Sequence, residues 1–135
     1  MSVFVDTAFW AAFTNKRDDR NAAALQLMRR HAGSTLVTTN QIRGETWTLL
    51  RARSGHASAV GFIDLLARSP NVRVVFVDDD LEQDALRWLR QHDERAYSLV
   101  DASSFAVMRS LRIGEVLTFD HDFSTAGFTV LEAGV

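Results

Sequence analysis

Residues 2–13 read SVFVDTAFWAAF, and the fold turns on how this stretch divides. Val3, Phe4 and Val5 form the apolar run of a buried strand, while Phe9, Trp10 and Phe13 recur at helical spacing. Asp6 stands at the junction. A carboxylate there has two readings: it caps the helix by accepting backbone N–H bonds, or it faces a cleft and takes part in chemistry. One occurrence does not decide between them, but the rest of the chain bears on the choice.

Working outward, short apolar runs alternate with amphipathic patterns along the chain. Strands are expected at Val3–Val5, Thr35–Val37, Val72–Val77, Val116–Phe119 and Phe128–Leu131. Helices are expected at about 8–14, 19–32, 40–54, 57–68, 80–91 and 102–112. Gly33, Gly55 and Gly114 follow three of the helices, where left-handed C-terminal caps are expected. Asp80 and Gln83 have capping-box spacing at the start of the fifth. Strands separated by helices imply right-handed crossovers and a parallel sheet covered on both faces. The expectation is an α/β protein, a three-layer α/β/α domain with about four to five parallel strands, spanning residues 1–135 as a single unit.

The chain has 135 residues, 47% of them hydrophobic and 24% charged, which is ordinary for a globular protein. It has no cysteine, which excludes disulfides and thiolate chemistry. No apolar run approaches the roughly 18 residues of a membrane span, and charges begin at Asp6. A soluble cytoplasmic protein without a signal peptide or membrane association is therefore expected. The net charge of −2 argues against a simple nucleic-acid-binding module, which usually carries a basic excess.

Other acids fall at comparable positions. LTFDHDF ends a strand at Asp120 and Asp122, and YSLVDASSFAVM places Asp101 after an apolar run and before a helix. Ligands of parallel α/β sheets bind outside the carboxyl ends of the strands, so these distant acids can converge. Converging carboxylates repel and take up protons unless a cation holds them ionised, and Mg²⁺ suits an all-oxygen site. In TTNQIRGETWTLL, helical spacing sets Glu45 with Ile42 and Leu49 on the inward face. A glutamate there needs a partner, either an arginine such as Arg53 or a metal site. Taken singly, each acid reads as a cap or turn residue; taken together they read as a site. Asp78, Asp79 and Asp80 end another strand but are assigned to helix capping.

Two other aspartate-bearing α/β classes fit poorly. A receiver domain needs a lysine late in the chain, and none follows Lys16; a haloacid-dehalogenase-like phosphatase needs an aspartate where Ala8 stands. His31, His56, His92 and His121 show no metal-ligand spacing. Arg43, Trp47 and Arg51 form a stripe that is read as a solvated or dimer-contacting face before an RNA-binding one. Arg95 and Tyr97, just before Asp101, are candidates for meeting substrate.

With VFVDTAFW, NQIRGETWTLL, YSLVDASSFAVM and LTFDHDF in this order, the chain resembles the PIN-domain ribonucleases, and within them the VapC-type toxins of bacterial toxin–antitoxin pairs. The resemblance implies a PIN-like fold and Mg²⁺- or Mn²⁺-dependent hydrolysis of structured RNA, in tRNA or rRNA loops, to 5′-phosphate and 3′-hydroxyl ends. It implies Asp6 and Asp101 as primary metal ligands, Glu45 as a third acid and Asp120 as the fourth, with Asp122 close enough to compete for that role. Thr7 and Thr118 would sit nearby and orient ligands or water. A cognate antitoxin and a homodimer are implied as partners. The competing reading is a catalytically inert PIN-like module that only binds RNA or protein.

Overall fold

The computed structural model describes Met1–Gly134; Val135, the last residue of the expected domain, lies outside the described residues. Five strands and seven helices follow one another as β1 (Ser2–Val5), α1 (Thr7–Thr14), α2 (Asn21–Arg30), β2 (Thr35–Thr39), α3 (Asn40–Ser54) and α4 (His56–Arg68). The second half continues with β3 (Val72–Val75), α5 (Asp79–Gln91), α6 (Leu99–Leu111), β4 (Glu115–Leu117), α7 (Asp122–Thr125) and β5 (Thr129–Val130). All pairings are parallel, in the order β3-β2-β1-β4-β5. The chain therefore builds outward from β1 in one direction, then crosses back to add β4 and β5 on the other side. The strand order reverses between β1 and β4, and a crevice opens at the carboxyl ends of two strands that diverge in this way.

Helices α1 to α4 pack on one another, and α5, α6 and α7 form a second group, which gives the expected three layers. β1 lies at the centre: Val3, Phe4 and Val5 are fully buried, with Phe4 opposite Val37 of β2 and Val116 of β4. Beneath α1, Trp10 packs edge-on to Phe62 at 5.8 Å. In the α5–α7 layer, Phe105 meets Trp88, Phe123 and Phe128 at 5.1, 4.9 and 5.5 Å. The Trp10 indole N–H donates to Thr38 Oγ1 at 3.2 Å, and that hydroxyl donates to the Val5 carbonyl at 3.0 Å. This relay satisfies a buried indole and ties α1 to the ends of β1 and β2.

Several local expectations are corrected. Helix α6 begins at Leu99, ahead of the expected 102, because Ser98 and Asp101 form a reciprocal capping box. The N-cap of α5 is Asp78, which accepts from the Leu81 N–H at 3.0 Å, so the expected Asp80–Gln83 box does not form and Asp80 lies within the first turn. Among the three glycines expected as left-handed caps, only Gly55 has a positive φ (96°). Helix α6 ends instead on Arg112 in the left-handed region, two residues before Gly114. The short helix α7 has no counterpart in the sequence reading, since four residues give no periodicity.

Thr38→Val removes both hydrogen bonds of the relay at nearly constant volume and leaves the indole N–H without a partner. Urea denaturation should show a loss of about 1–3 kcal/mol. The same change at exposed Thr48 should stay within about 0.5 kcal/mol.

Candidate active site

Asp6 follows β1 directly, at the N-cap position of α1, yet its side chain makes no capping bond. It turns toward the neighbouring strand, where the Thr118 hydroxyl donates to Asp6 Oδ2 at 2.8 Å. Thr118 Oγ1 in turn accepts the Asp120 N–H at 3.0 Å, and Asp120 Oδ1 accepts the Asp122 N–H at 2.9 Å. The turn after β4 is thus held by its own acids and places them beside β1. Asp6 does not cap α1, and it lines the cleft.

Asp101 both caps its helix and lines the same cavity. Its Oδ2 accepts the Ser98 N–H at 3.1 Å while its own N–H donates to Ser98 Oγ at 3.0 Å. The capping box fixes the carboxylate at the start of α6, facing the β1–β4 crevice. Asp101 is the third residue of that helix and not, as expected, a residue preceding it.

Glu45 is also corrected. The buried stripe of α3 is Ile42, Thr46 and Leu50, with the Thr46 hydroxyl satisfied by the Ile42 carbonyl at 2.7 Å. Glu45 lies one position to the side of that stripe and is exposed. It does not face the core, and it makes no ion pair with Arg53 among the described residues. It forms part of the wall of a cavity of about 220 Å³, together with Asp6, Thr7, Asp101 and Asp120. Arg20 and Arg53 line the same cavity. Arg53 is two helical turns from Glu45, the spacing that marks a shared face; Arg20 gives no sequence signal.

The two aspartates of the DHD turn have different surroundings. Asp120 opens on the cavity, whereas Asp122 is buried and paired with the Arg95 guanidinium. Carboxylate oxygens of Asp101, Asp120 and Asp122 lie within 4.8 Å of one another. Asp6 stands outside that triangle but inside the cavity. Because Arg95 already offsets the charge of Asp122, the acids left to share the cavity are Asp6, Glu45, Asp101 and Asp120. Tyr97 is directed elsewhere: its hydroxyl donates to Glu94 at 2.9 Å and its ring packs on Trp88 and Phe105. Arg43 lies over the exposed ring of Phe76, 5.5 Å from its centroid.

Electrostatics follow from this packing. Asp6 is 5% exposed, and burial pushes its carboxyl up to about 7 against the Thr118 hydrogen bond, with Asp101 and Asp120 adding to the rise. Asp101 is pushed up to about 6, first by burial and then by Asp120 and Asp122, against the Ser98 bonds. The side-chain donors that line the cavity and could hold a cation are all oxygens, four of them from carboxyl-bearing residues, a set suited to a hard divalent cation and not to zinc. The Thr7 hydroxyl lines the cavity, buried and without a hydrogen-bond partner.

A carboxyl whose pKa is higher in the folded state binds its proton more tightly there than when unfolded. Its contribution to stability is greatest below about pH 4 and falls as pH rises from about 4 to 7. Denaturation in the presence of chelator should show this decline, and Asp6→Asn should reduce it. At neutral pH the variant should be more stable by about 1–3 kcal/mol.

The comparisons with known proteins agree with the fold. The PIN domain family profile matches residues 3–129. Over 126 residues, 93% of this chain and 95% of the relative, the sequence is 49% identical to the 23S rRNA-specific endonuclease VapC20 of two Mycobacterium tuberculosis strains, CDC 1551 and H37Rv. The crystal structure of Mycobacterium tuberculosis VapC20, described as a sarcin–ricin loop cleaving toxin, superposes with a TM-score of 0.87 at 47% identity. That match covers 96% of this chain and 98% of the other. The chain belongs to the PIN-domain family and, within it, to the VapC-type toxins.

Proposed function

We propose that this protein is an endoribonuclease toxin that hydrolyses a phosphodiester bond in the sarcin–ricin loop of 23S rRNA, leaving 5′-phosphate and 3′-hydroxyl ends. The observation that carries this reading is the cavity where the strand order reverses, in which Asp6, Glu45, Asp101 and Asp120 converge. The choice of substrate rests on the similarity to VapC20 along nearly the whole chain.

Asp6, Asp101 and Asp120, with Glu45 opposite, would hold Mg²⁺ or Mn²⁺. The donor set fits: it is all oxygen, and within it the buried Asp6 and Asp101 resist ionising without a cation. When bound, such a cation polarises the scissile phosphate and favours ionisation of the attacking water. The protein's own contribution is position and charge. Thr118 fixes the orientation of Asp6, Ser98 that of Asp101, and Arg95 neutralises Asp122 without occupying the cavity. Asp122 therefore acts as a positioning residue for the turn that carries Asp120. The unpartnered Thr7 hydroxyl is available to a phosphate oxygen or to the attacking water. Arg95 is committed to Asp122 and Tyr97 to Glu94, so neither is assigned to the substrate.

Family membership further supports a cognate antitoxin that holds the toxin inactive, and a homodimer. No helix among the described residues is long and apolar enough to cross a membrane. An inert binding module is the competing reading, and it offers no reason to keep a carboxylate cluster that opposes folding at neutral pH.

The test is cleavage of purified ribosomes and total RNA with Mg²⁺, with chelator, and with Asp101→Asn, mapping new 5′ ends. The expected result is a discrete cut in the sarcin–ricin loop that chelator abolishes and Asp101→Asn reduces at least about 10³-fold. Cuts elsewhere would change the substrate. No metal-dependent cut in any RNA by folded, antitoxin-free protein would support the inert module.

A further inference from the structure

We infer that the RNA strand leaves the carboxylate cavity along a cationic channel formed by Arg53, Lys16 and Arg17, which takes the phosphates flanking the scissile one. This rests on the ribonuclease reading above and names how the same site holds its substrate.

The observation is that Arg53 lines two adjoining cavities. One is the carboxylate cavity; the other, of about 580 Å³, lies between the ends of α1 and α3 and is lined also by Lys16, Arg17 and Ser58. No Asp or Glu lines the second cavity. Lys16, Arg17 and Arg53 make no ion pair among the described residues, so their charges are not already offset. The nearest acid in the connecting loop, Asp18, is turned to Arg20, accepting its N–H at 2.8 Å and its Nε at 3.4 Å.

The loop that carries these cations is held in place. Asn15 Oδ1 accepts the Arg17 N–H at 3.1 Å, and Asn21 Nδ2 donates to the Ala12 and Phe13 carbonyls at 2.8 and 3.2 Å. Arg20 is itself stacked on Phe119, 4.9 Å from the ring centroid, and Phe119 stacks on Phe9. The site thus has an acidic floor with Arg20 and Arg53 on its rim, and beyond Arg53 a purely cationic exit. Both α1 and α3 end here, and helix C-termini repel anions. Three unpaired cations at two C-termini reverse that local sign. The other arginines near the site are not free in this way: Arg95 is paired with Asp122 and Arg43 lies on Phe76.

A strand contact made through phosphates is independent of sequence and weakens with salt in proportion to the number of phosphates engaged. The experiment measures binding of a synthetic sarcin–ricin loop hairpin across a salt series, by fluorescence anisotropy, on the uncleaving Asp101→Asn full-length background. Adding Lys16→Ala, Arg17→Ala and Arg53→Ala together should weaken binding about tenfold or more near 0.1 M salt. The slope of log K against log salt should shrink by about 2. A charge-matched control, Arg29→Ala, Arg68→Ala and Arg73→Ala, removes exposed cations of α2, α4 and β3 and should change affinity less than about twofold.

Equal effects from the two triple variants would overturn the channel and leave only a general charge effect; an unchanged slope in the first would overturn it as well. Cleavage of the same hairpin by the unsubstituted protein with Mg²⁺ is run in parallel. If cleavage is seen and the slope is unchanged, the channel fails while the ribonuclease reading stands; if neither cleavage nor binding is seen, both fail.

Discussion

A carboxylate is buried at the end of the central strand, and the rest of the site is arranged around it. Asp6 has the N-cap position of α1 but does not cap the helix, because its side chain is drawn across to Thr118 on the far side of the strand reversal. That hydrogen bond ties the carboxyl end of β1 to the turn after β4. It also orders the turn itself, since Thr118 accepts from Asp120 and Asp120 from Asp122. The geometry of three acids therefore descends from one buried contact between two strands that are distant in sequence and adjacent in the sheet.

Such an arrangement opposes folding unless something offsets it. Part of the compensation is local: Arg95 neutralises Asp122, and the Ser98 capping box bonds Asp101. Part lies in the core, where Trp10 of α1 packs on Phe62 of α4 in one layer and Phe105 gathers an aromatic cluster in the other. Large apolar contacts on both sides let the sheet carry a site that is unfavourable in isolation, a common relation between stability and function. What remains uncompensated is the protonation of Asp6 and Asp101, and this is the part that a bound divalent cation would relieve.

The layers, the parallel sheet and the acids at the strand ends were legible because each follows from a local pattern: an apolar run, a helical period, a charge at the junction. Asp6 and Asp120 line the cavity from the strand ends in this way, whereas Asp101 lines it from the first turn of α6. Glu45 lies on a different face from the one expected, because the fully buried stripe runs through Ile42, Thr46 and Leu50 while Leu49 is only partly buried; Thr46 can sit in that stripe because its hydroxyl bonds its own helix. The pairing of Arg95 with Asp122 was not legible, since it joins the α5–α6 loop to the start of α7, two segments distant in sequence. Arg20 was missed for a similar reason: it lines the cavity with its guanidinium over the Phe119 ring and its Nε on Asp18, contacts that spacing along the chain does not report. Tyr97, favoured for its closeness to Asp101 in sequence, is turned away by the Trp88–Phe105 cluster. Spacing along the chain reports which element a residue is on; which side of that element meets the site is decided by packing.

The central claim is that Asp6 and Asp101 are held partly protonated by burial and ionise when a cation binds. Calorimetric titration with Mn²⁺ at pH 7, in two buffers of different ionisation enthalpy, counts the protons released. The account predicts binding with release of about half a proton or more, chiefly from Asp6, and less release at pH 8. Mn²⁺ binding without proton release at pH 7, or no binding at all, would contradict it.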